Sequence, residues 1–225
     1  MIKKNVLVVA PHPDDETLGC GGTLLRHSFQ GDSVHWLIFT RLDERLGHSD
    51  EQKKTRMAEI DRVAKEYKFA KIHQLPFATT QLDQISKSDL IGQVSRVISE
   101  VKPEIIYLPY RADIHSDHLA VFDAVAACTK WFRYASIQRV LAYETISETD
   151  FSMDPDARGF RPNVFINISE YLDQKIQIAK IYASEMSAFP FPRSEEALRS
   201  LAQLRGVASG FKAAEAFMLL KDIVE

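Results

Sequence analysis

The chain alternates short apolar runs with stretches whose apolar residues recur at helical spacing. Asn5–Ala10 (NVLVVA) is a nearly continuous apolar run, which is typical of a strand buried on both faces. Lys87–Val101 has the pattern of a helix and ends before Pro103, and Glu104–Leu108 (EIIYL) is a second buried strand. Repeated strand–helix units predict an α/β fold with a mostly parallel sheet and helices on both faces.

The same reasoning predicts the other elements of the chain. Loops are expected over Arg41–Lys53 and Thr145–Pro162, where polar residues dominate. Helices are predicted over Thr17–Gln30, Lys54–Tyr67 and His118–Phe132, from the N-cap Ser169 to Ala183, and from Ser194 onward. Strands are predicted over Ser33–Thr40, Lys71–Leu75, Gln138–Glu144 and Asn163–Ile168.

Composition excludes several classes of protein. The 225 residues carry 28 Lys and Arg against 31 Asp and Glu, so the net charge of −3 lacks the basic character of nucleic-acid-binding proteins. Two cysteines are too few for a disulfide scaffold, and no apolar run approaches the roughly 20 residues that span a bilayer. The apolar run after Lys3 and Lys4 is too short for a signal peptide. We therefore expect a cytoplasmic protein with one domain, residues 1–225, no nucleic-acid partner and no membrane span.

A cluster of ligand-type residues follows the first strand, in the segment Pro11–Glu16 (PHPDDE). His12 and Asp15 supply nitrogen and oxygen atoms that suit zinc. Asp14 and Asp15 point in different directions, so one can bind a metal while the other faces a water molecule at the metal. The alternative is that the two acids cap the following helix, whose first turn favours negative charge.

A second cluster, His115–His118 (HSDH), follows the strand Glu104–Leu108. The carboxyl ends of parallel strands meet at one edge of the sheet, so we expect the two clusters to lie close together. One histidine of this pair can reach a metal while the other faces a substrate, and Asp117 can cap the helix or orient a histidine through its second ring nitrogen. Together the clusters offer two histidines and an aspartate with an open fourth position, as in catalytic zinc sites; iron, cobalt and manganese also suit these ligands.

These clusters resemble the motifs of the PIG-L, or LmbE-like, family of zinc-dependent N-deacetylases. The first is similar to the family's AHPDDE, with Pro11 where Ala is frequent, and the second to its HPDH, with Ser116 where Pro is frequent. Arg56 and Glu59 resemble the family's Arg-x-x-Glu, and Ala214–Phe217 (AEAF) resembles part of its C-terminal signature. The resemblance spans about residues 5 to 220. It implies a Rossmann-like three-layer sandwich.

The resemblance also implies a reaction and its metal ligands. His12, Asp15 and His118 would bind Zn²⁺, and Asp14 would act as the general base. Family members remove acetyl groups from N-acetylglucosamine-containing substrates, including glycolipids, thiol-sugar conjugates and antibiotic precursors. A small amino-sugar substrate and assembly into homo-oligomers are therefore expected, and the loops Arg41–Lys53 and Thr145–Pro162 are expected to select the aglycone.

Three further residues are expected to have roles, two of them from the resemblance and Arg56 from its place just past the loop Arg41–Lys53, at the ligand edge of the sheet. His115 would assist at the carbonyl oxygen or the leaving group, and Asp117 would hold His115 and favour its imidazolium form. Arg56 would bind a hydroxyl-rich or phosphorylated substrate through its guanidinium fork. The alternative for Arg56 is an ion pair with Glu59 or Glu51 on a solvated helix face.

Other functions stay open from the sequence. The same metal site can hydrolyse a non-sugar or other N-acyl substrate. A non-catalytic metal-binding module or a Rossmann-like sugar-nucleotide-binding protein belongs to a different class. A dinucleotide site needs its glycines directly after the first strand, whereas Gly19, Gly21 and Gly22 lie within the predicted helix Thr17–Gln30. Those glycines are therefore expected to serve close packing.

Overall fold

The computed structural model describes residues 3–153 and 159–224, so residues 154–158 of the predicted loop Thr145–Pro162 lie outside the described residues. The described strands are β1 (Asn5–Ala10), β2 (Ser33–Arg41), β3 (Lys71–Ala78), β4 (Ile105–Pro109), β5 (Arg139–Tyr143), β6 (Val164–Asn167) and β7 (Ala214–Asp222). The described α-helices are α1 (Asp15–Phe29), α2 (Asp50–Tyr67), α3 (Lys87–Val101), α4 (Ser116–Ala127), α5 (Leu172–Ala179) and α6 (Glu195–Val207).

All seven strands form one sheet in the order β3-β2-β1-β4-β5-β7-β6. Strands β1 to β5 pair in parallel, and β7 pairs antiparallel with both β5 and β6. The chain moves outward in one direction from β1 to β3 and returns to the other side of β1 with β4. The carboxyl ends of β1 and β4 therefore flank the crevice at which doubly wound sheets bind ligands.

Helices cover both faces of the sheet, which confirms the predicted three-layer α/β architecture. Successive side chains of a strand point to opposite faces, so the continuous apolar sequence of β1 supplies two cores. Val6 and Val8 pack with residues of α1 and α2, including Leu24. Leu7 and Val9 pack in the opposite core with residues of α3 and α4. A strand covered on both sides cannot alternate apolar and polar residues, and this is why β1 appears as one apolar run.

The structure differs from the predicted boundaries at several places. Helix α2 begins at Asp50, inside the predicted loop Arg41–Lys53, because Ser49 and Gln52 form a capping box there. The expectation that Ser169 caps the next helix is wrong. Its hydroxyl group instead donates to Asn167 Oδ1 over 2.7 Å, and α5 begins only at Leu172.

Strand β7 lies where the sequence predicts no strand. The segment Ala214–Asp222 carries an acid, Glu215, at a buried position. Glu215 is 5% exposed. Its carboxylate accepts a hydrogen bond from Lys175 Nζ over 2.7 Å, which satisfies a charge that would otherwise disfavour a buried strand position. The long-range partner, and not the local pattern, makes this segment a strand.

The same ion pair is inserted into helix α1. Cys20 leaves the helical conformation, with φ −144° and ψ 21°. In a regular helix the Gly22 N–H would donate to the Leu18 carbonyl group, four residues earlier. Here the Gly22 N–H donates to Glu215 over 2.8 Å, and Lys175 Nζ donates to the Leu18 oxygen over 2.9 Å. The ion pair therefore satisfies the backbone groups that the kink separates.

The glycines of α1 serve close packing, as predicted. A Cβ atom on Gly19 would lie 2.2 Å from the Tyr143 ring. That ring cannot move aside easily, because it is fully buried and its hydroxyl group donates to the Val9 carbonyl oxygen over 2.8 Å. By contrast, a Cβ atom on Gly92 in α3 would meet nothing within 4 Å.

We predict that Gly19→Ala lowers the free energy of unfolding by about 1–3 kcal/mol, because the added methyl group overpacks this contact. The matched variant Gly92→Ala should leave stability unchanged or raise it by up to about 1 kcal/mol, since alanine is the better helix former. Urea unfolding followed by circular dichroism measures both. Equal effects of the two substitutions would contradict the packing role of Gly19.

Candidate metal centre and active site

The two predicted clusters meet at the carboxyl edge of the sheet. His12 lies in the turn that follows β1, and Asp15 is the first residue of α1. His115 is the N-cap of α4, just beyond β4, and His118 lies in the first turn of that helix. Because β1 and β4 are hydrogen-bonded neighbours, their following loops are brought into contact.

Three side chains converge on one point. Asp15 Oδ2 lies 3.3 Å from His12 Nδ1 and 3.3 Å from His118 Nε2. The three ligand atoms all lie within 4.8 Å of one another. Zinc bonds of about 2.0–2.1 Å at tetrahedral angles separate neighbouring ligand atoms by about 3.3 Å, so both measured separations suit a shared metal ion.

A buried nitrogen without a hydrogen bond supports the same assignment. Among the residues that the structure describes, no group forms a hydrogen bond with His118 Nε2. The ring is fully buried, and an unsatisfied polar atom in such a place is costly. A metal ion would satisfy this nitrogen, so the donor set fits a divalent cation.

A second carboxylate lies behind each of the two histidines. Asp117 Oδ2 lies 3.0 Å from His12 Nε2, and Asp113 Oδ2 lies 2.8 Å from His118 Nδ1. Each contact leaves the opposite ring nitrogen facing Asp15. Metal-binding histidines commonly have such a partner, which fixes the ring orientation and the tautomer.

This arrangement corrects the expectation that the Asp117 carboxylate holds His115. The carboxylate contacts His12 and also accepts hydrogen bonds from the backbone N–H groups of Thr80 and Leu82, over 2.7 and 3.1 Å. The histidine partner comes from the other cluster because β1 and β4 are adjacent. Since Asp117 and His12 Nε2 already pair, the alternative donor trio of His12, His115 and Asp117 fits a metal less well.

The charges of the three convergent groups reinforce one another. Burial works to lower the pKa of His12, but Asp117 and Asp15 outweigh it and raise the pKa to about 9. Burial likewise opposes the charged form of His118, yet Asp15 and Asp113 raise its pKa to about 10. Burial would raise the pKa of Asp15, but the two histidines hold it well below its usual value. A metal ion bound here must therefore displace protons from both rings.

Asp14 lies beside the trio in a strained backbone conformation. Its φ of 137° is rare for a residue with a side chain. The Glu16 carboxylate accepts the Asp14 N–H over 3.1 Å, and the Asp14 side chain makes no cap hydrogen bond to α1. The helix-capping alternative for this side chain is therefore wrong. Its carboxylate instead lines the cleft.

The environment of Asp14 raises the affinity of its carboxylate for a proton. Burial, and then the negative charge of Asp15, raise the pKa of Asp14 to about 8, while Arg193 opposes them. Arg193 Nη1 donates to Asp14 Oδ2 over 2.8 Å and fixes the carboxylate in place. A carboxyl group with a pKa near the working pH suits general acid–base chemistry.

His115 lines the same cleft, but its protonation differs from the expectation. Burial, followed by the positive charge of His12, lowers the pKa of His115 to about 4, so the imidazolium form is not favoured. The backbone N–H of Asp117 donates to His115 Nδ1 over 3.1 Å. The neutral ring therefore carries its proton on Nε2, and this N–H is a hydrogen-bond donor.

Arg56 lies at the cleft and is also engaged within the protein. Its guanidinium group donates to the Pro13 carbonyl oxygen over 2.9 Å and forms an ion pair with Glu185. Its Nε lies 3.1 Å from Glu59 Oε2, so the pair with Glu59 forms, but it is largely buried and not on a solvated helix face. No ion pair with Glu51 is found among the described residues. A role in substrate binding stays a prediction.

Sequence reasoning missed two residues that complete the centre. Asp113 stands two positions before the second cluster, and an acid so close to a metal motif was a usable signal. Arg193 follows the proline-rich loop before α6 and lies 179 positions from its partner Asp14. Arg193 also donates to Glu148 and Glu185, each over 3.2 Å. No local pattern could have indicated these contacts.

The site opens into a cleft of about 180 Å³, smaller than the roughly 300–1,000 Å³ that is common for small-molecule sites. Acidic and basic side chains line the cleft in similar number. The lining residues come from the turn after β1, the end of β2 and the loop after it, helix α2, the loops after β3 and β4, and the region after β5: His12, Pro13, Asp14, Thr40, Arg41, Leu42, Arg56, Thr79, His115, Glu148, Glu185 and Arg193.

The family of the chain follows from a match over residues 7–129, more than half of its length, to the family described as PIG-L: GlcNAc-PI de-N-acetylase. This chain belongs to the PIG-L family. The matched region runs from β1 through α4 and therefore contains both metal-ligand clusters. The family resemblance drawn from the motifs is confirmed.

Relatives named as deacetylases agree with this assignment, and a solved structure shares the fold. The chain is 30% identical to an uncharacterised deacetylase, YaiS, of Escherichia coli, over 81% of this chain and 92% of that protein. It is 28% identical to the diacetylchitobiose deacetylase of Thermococcus kodakarensis, over 98% of this chain and 84% of that protein. Its fold is similar to that of the conserved protein TT1542 of Thermus thermophilus, with a TM-score of 0.79 and 25% identity over 99% and 97% of the two chains.

We predict that Asp113→Asn lowers the affinity for zinc about 10- to 100-fold, because an amide holds the His118 ring less firmly than a carboxylate. Competition with a chromogenic chelator measures the affinity. Asp123→Asn, on α4 and paired with Lys87 and Arg111 on the surface, is the matched control and should not change it. An unchanged affinity in folded Asp113→Asn would show that the carboxylate does not support the metal ligand.

Proposed function

We propose that this protein is a metal-dependent hydrolase that removes an N-acetyl group from an N-acetylglucosamine-type amino sugar or its conjugate. The observation that carries the proposal is the convergence of His12 Nδ1, Asp15 Oδ2 and His118 Nε2, with the Asp14 carboxylate beside them in one cleft. The deacetylase relatives support the same reaction class. We infer that Zn²⁺ is the cofactor, although Fe²⁺, Co²⁺ and Mn²⁺ suit the same ligands.

A divalent metal held by these three side chains would acidify a water molecule and polarise the acyl carbonyl group. The protein supplies the proton transfers. Asp14 is placed to accept a proton from the attacking water and to pass it to the departing amine. Burial and the charge of Asp15 raise the pKa of Asp14 to about 8 without a metal, and a bound divalent cation would lower it toward the ionised form that accepts the proton.

His115 would stabilise charge that develops on the carbonyl oxygen. The proton on Nε2 makes the neutral ring a hydrogen-bond donor, so an imidazolium form is not required. Donors fixed in place before the reaction stabilise a developing oxyanion without a cost of reorientation. Asp117 acts one step further away, since its carboxylate orients the His12 ring.

Arg56 would orient the sugar at the edge of the cleft. Its guanidinium group is 12% exposed and is held by Glu59 and Glu185, so it presents a rigid surface rather than a mobile charge. A planar group with several N–H donors suits the hydroxyl groups of a sugar. The similar numbers of acidic and basic residues in the cleft also suit a largely neutral ligand.

Three organisational features belong to the same proposal. We propose that residues 1–225 act as a single domain, because one sheet carries both described cores. The family resemblance supports assembly into homo-oligomers.

A cytoplasmic location is supported by Cys20 and Cys128, which are both buried and free. In the described part of the chain, no helix combines the length and apolar character that crossing a membrane requires.

We predict that the purified protein contains a stoichiometric divalent metal and releases acetate from N-acetylglucosamine or N,N′-diacetylchitobiose. Chelation should abolish the release, and added zinc should restore it. An N-acetyl amino acid serves as the non-sugar amide and should react slowly. Metal-loaded protein that releases no acetate from any sugar would overturn the proposal, and preference for the amino acid would reassign the substrate class.

We predict that Asp14→Asn lowers kcat about 10²- to 10⁴-fold, because an amide cannot accept the proton. The metal content should be unchanged, since Asp14 is not among the three convergent ligands. Asp113→Asn distinguishes the two kinds of defect, because excess zinc should restore its activity but not that of Asp14→Asn. Substantial turnover by metal-loaded Asp14→Asn would refute the role of Asp14 as the base.

A further inference from the structure

Two cavities meet beside the candidate active site. The catalytic cleft shares Arg41, Leu42 and Arg56 with a neighbouring cavity that lies over the start of α2. This neighbouring cavity is also lined by Lys53 and Met57. A substrate whose acetamido group reaches the metal centre therefore has an open path past Leu42 for the group attached to its sugar.

Most cations along this path are already neutralised within the protein. Arg56 pairs with Glu59 and Glu185. Lys53 Nζ lies 2.7 Å from Asp50 Oδ1 and 3.6 Å from Glu44 Oε2. Such cations contribute little net attraction for a further anion, because their own carboxylates repel it.

Arg193, in the catalytic cleft, is also neutralised by carboxylates of the protein. Arg193 contacts the carboxylates of Asp14, Glu148 and Glu185, at distances of 2.8, 3.2 and 3.2 Å. Its charge therefore serves the arrangement of the cleft itself. Because its carboxylate partners would repel a further anion, Arg193 is not the recognition site for an anionic group of a ligand.

Arg41 differs from these residues. Among the described residues that line the two cavities, it is the one cationic side chain without an ion pair, and it is exposed. The nearby Asp43 does not bind it, because the Asp43 carboxylate is held by Arg45 over 2.8 and 3.0 Å. The hydrogen bonds of Arg45, and more weakly the charge of Arg41, keep the pKa of Asp43 well below its usual value.

The backbone of Arg41 is nevertheless fixed to the active site. Arg41 is the last residue of β2, and its carbonyl oxygen accepts the Thr79 N–H over 3.1 Å. The preceding residue, Thr40, donates through its N–H and its hydroxyl group to the Pro11 carbonyl oxygen, over 3.1 and 2.8 Å. A free guanidinium group is thus carried by a rigid strand end at a defined place relative to the turn that holds His12.

We propose that Arg41 recognises an anionic group, a carboxylate or a phosphate, on the aglycone of the amino-sugar substrate. This inference rests on the proposed function. The amide nitrogen is attached to C2 of the sugar, next to the anomeric carbon, so the aglycone leaves the catalytic cleft close to the metal centre. The planar guanidinium fork matches either oxyanion through two parallel hydrogen bonds.

The test compares substrates that differ only in charge. The carboxymethyl glycoside of N-acetylglucosamine is the anionic probe, and its carbamoylmethyl glycoside is the neutral isostere. N-acetylglucosamine 1-phosphate is the second anionic probe and distinguishes phosphate from carboxylate recognition. We expect wild-type protein to favour at least one anionic probe over the neutral glycoside by about tenfold or more in kcat/KM, mainly through KM.

Substitutions locate the preference. Arg41→Gln should reduce the ratio of anionic to neutral kcat/KM to about one, and Arg41→Lys should restore part of the ratio. Arg96→Gln, at an exposed position of α3, makes the same change of net charge and should keep the wild-type ratio. A wild-type ratio near one, or a ratio that survives Arg41→Gln, overturns the inference and leaves the proposed deacetylation intact.

Failure of the proposed function has a different signature. In that case neither the neutral nor the anionic glycosides release acetate. Titration calorimetry with the carboxymethyl glycoside and the 1-phosphate then decides the inference by itself. Tighter binding to wild type than to Arg41→Gln supports the anion site, and equal or absent binding overturns it.

Discussion

A buried carboxylate between two imidazole rings is the interaction around which the cleft is built. Asp15 is 1% exposed, and His12 and His118 face it from the two adjacent strands β1 and β4. A single charge at this depth requires compensation. The structure provides it as a chain of alternating charges, in which Asp117 and Asp113 lie behind the two histidines. Burial, and then the same charge, also raise the pKa of the neighbouring Asp14.

Local physics made much of this arrangement predictable. The apolar run Asn5–Ala10 identifies a central strand because only a strand covered on both faces can be apolar throughout. The helix Lys87–Val101 has the predicted bounds because Ser86 caps its start and Lys102 ends it in a left-handed conformation. Parallel pairing then brings the ends of β1 and β4 together, which is sufficient to predict that His12 and His118 meet.

The parts that could not be predicted depend on contacts between distant segments. Asp117 had two histidines within reach, and only the adjacency of β1 and β4 decides that its carboxylate contacts His12. Arg193 is brought to Asp14 by the path of the chain after α5, which no periodicity encodes. Strand β7 is missed because Glu215 looks like a solvent-facing charge until Lys175 lies against it. In each case a charge is explained by a partner that lies far away in the sequence.

The ion pair of Lys175 and Glu215 also bears on how the metal centre is completed during synthesis. The candidate ligands lie in β1 to α4, within the region 7–129 that matches the family. The helix that begins at Asp15 nevertheless has its kinked backbone satisfied by Glu215, 193 positions after Gly22. Contacts of such separation form late, because a long loop must close first. A nascent chain that has exposed only residues 7–129 therefore holds the candidate ligands without the carboxylate that accepts the Gly22 N–H.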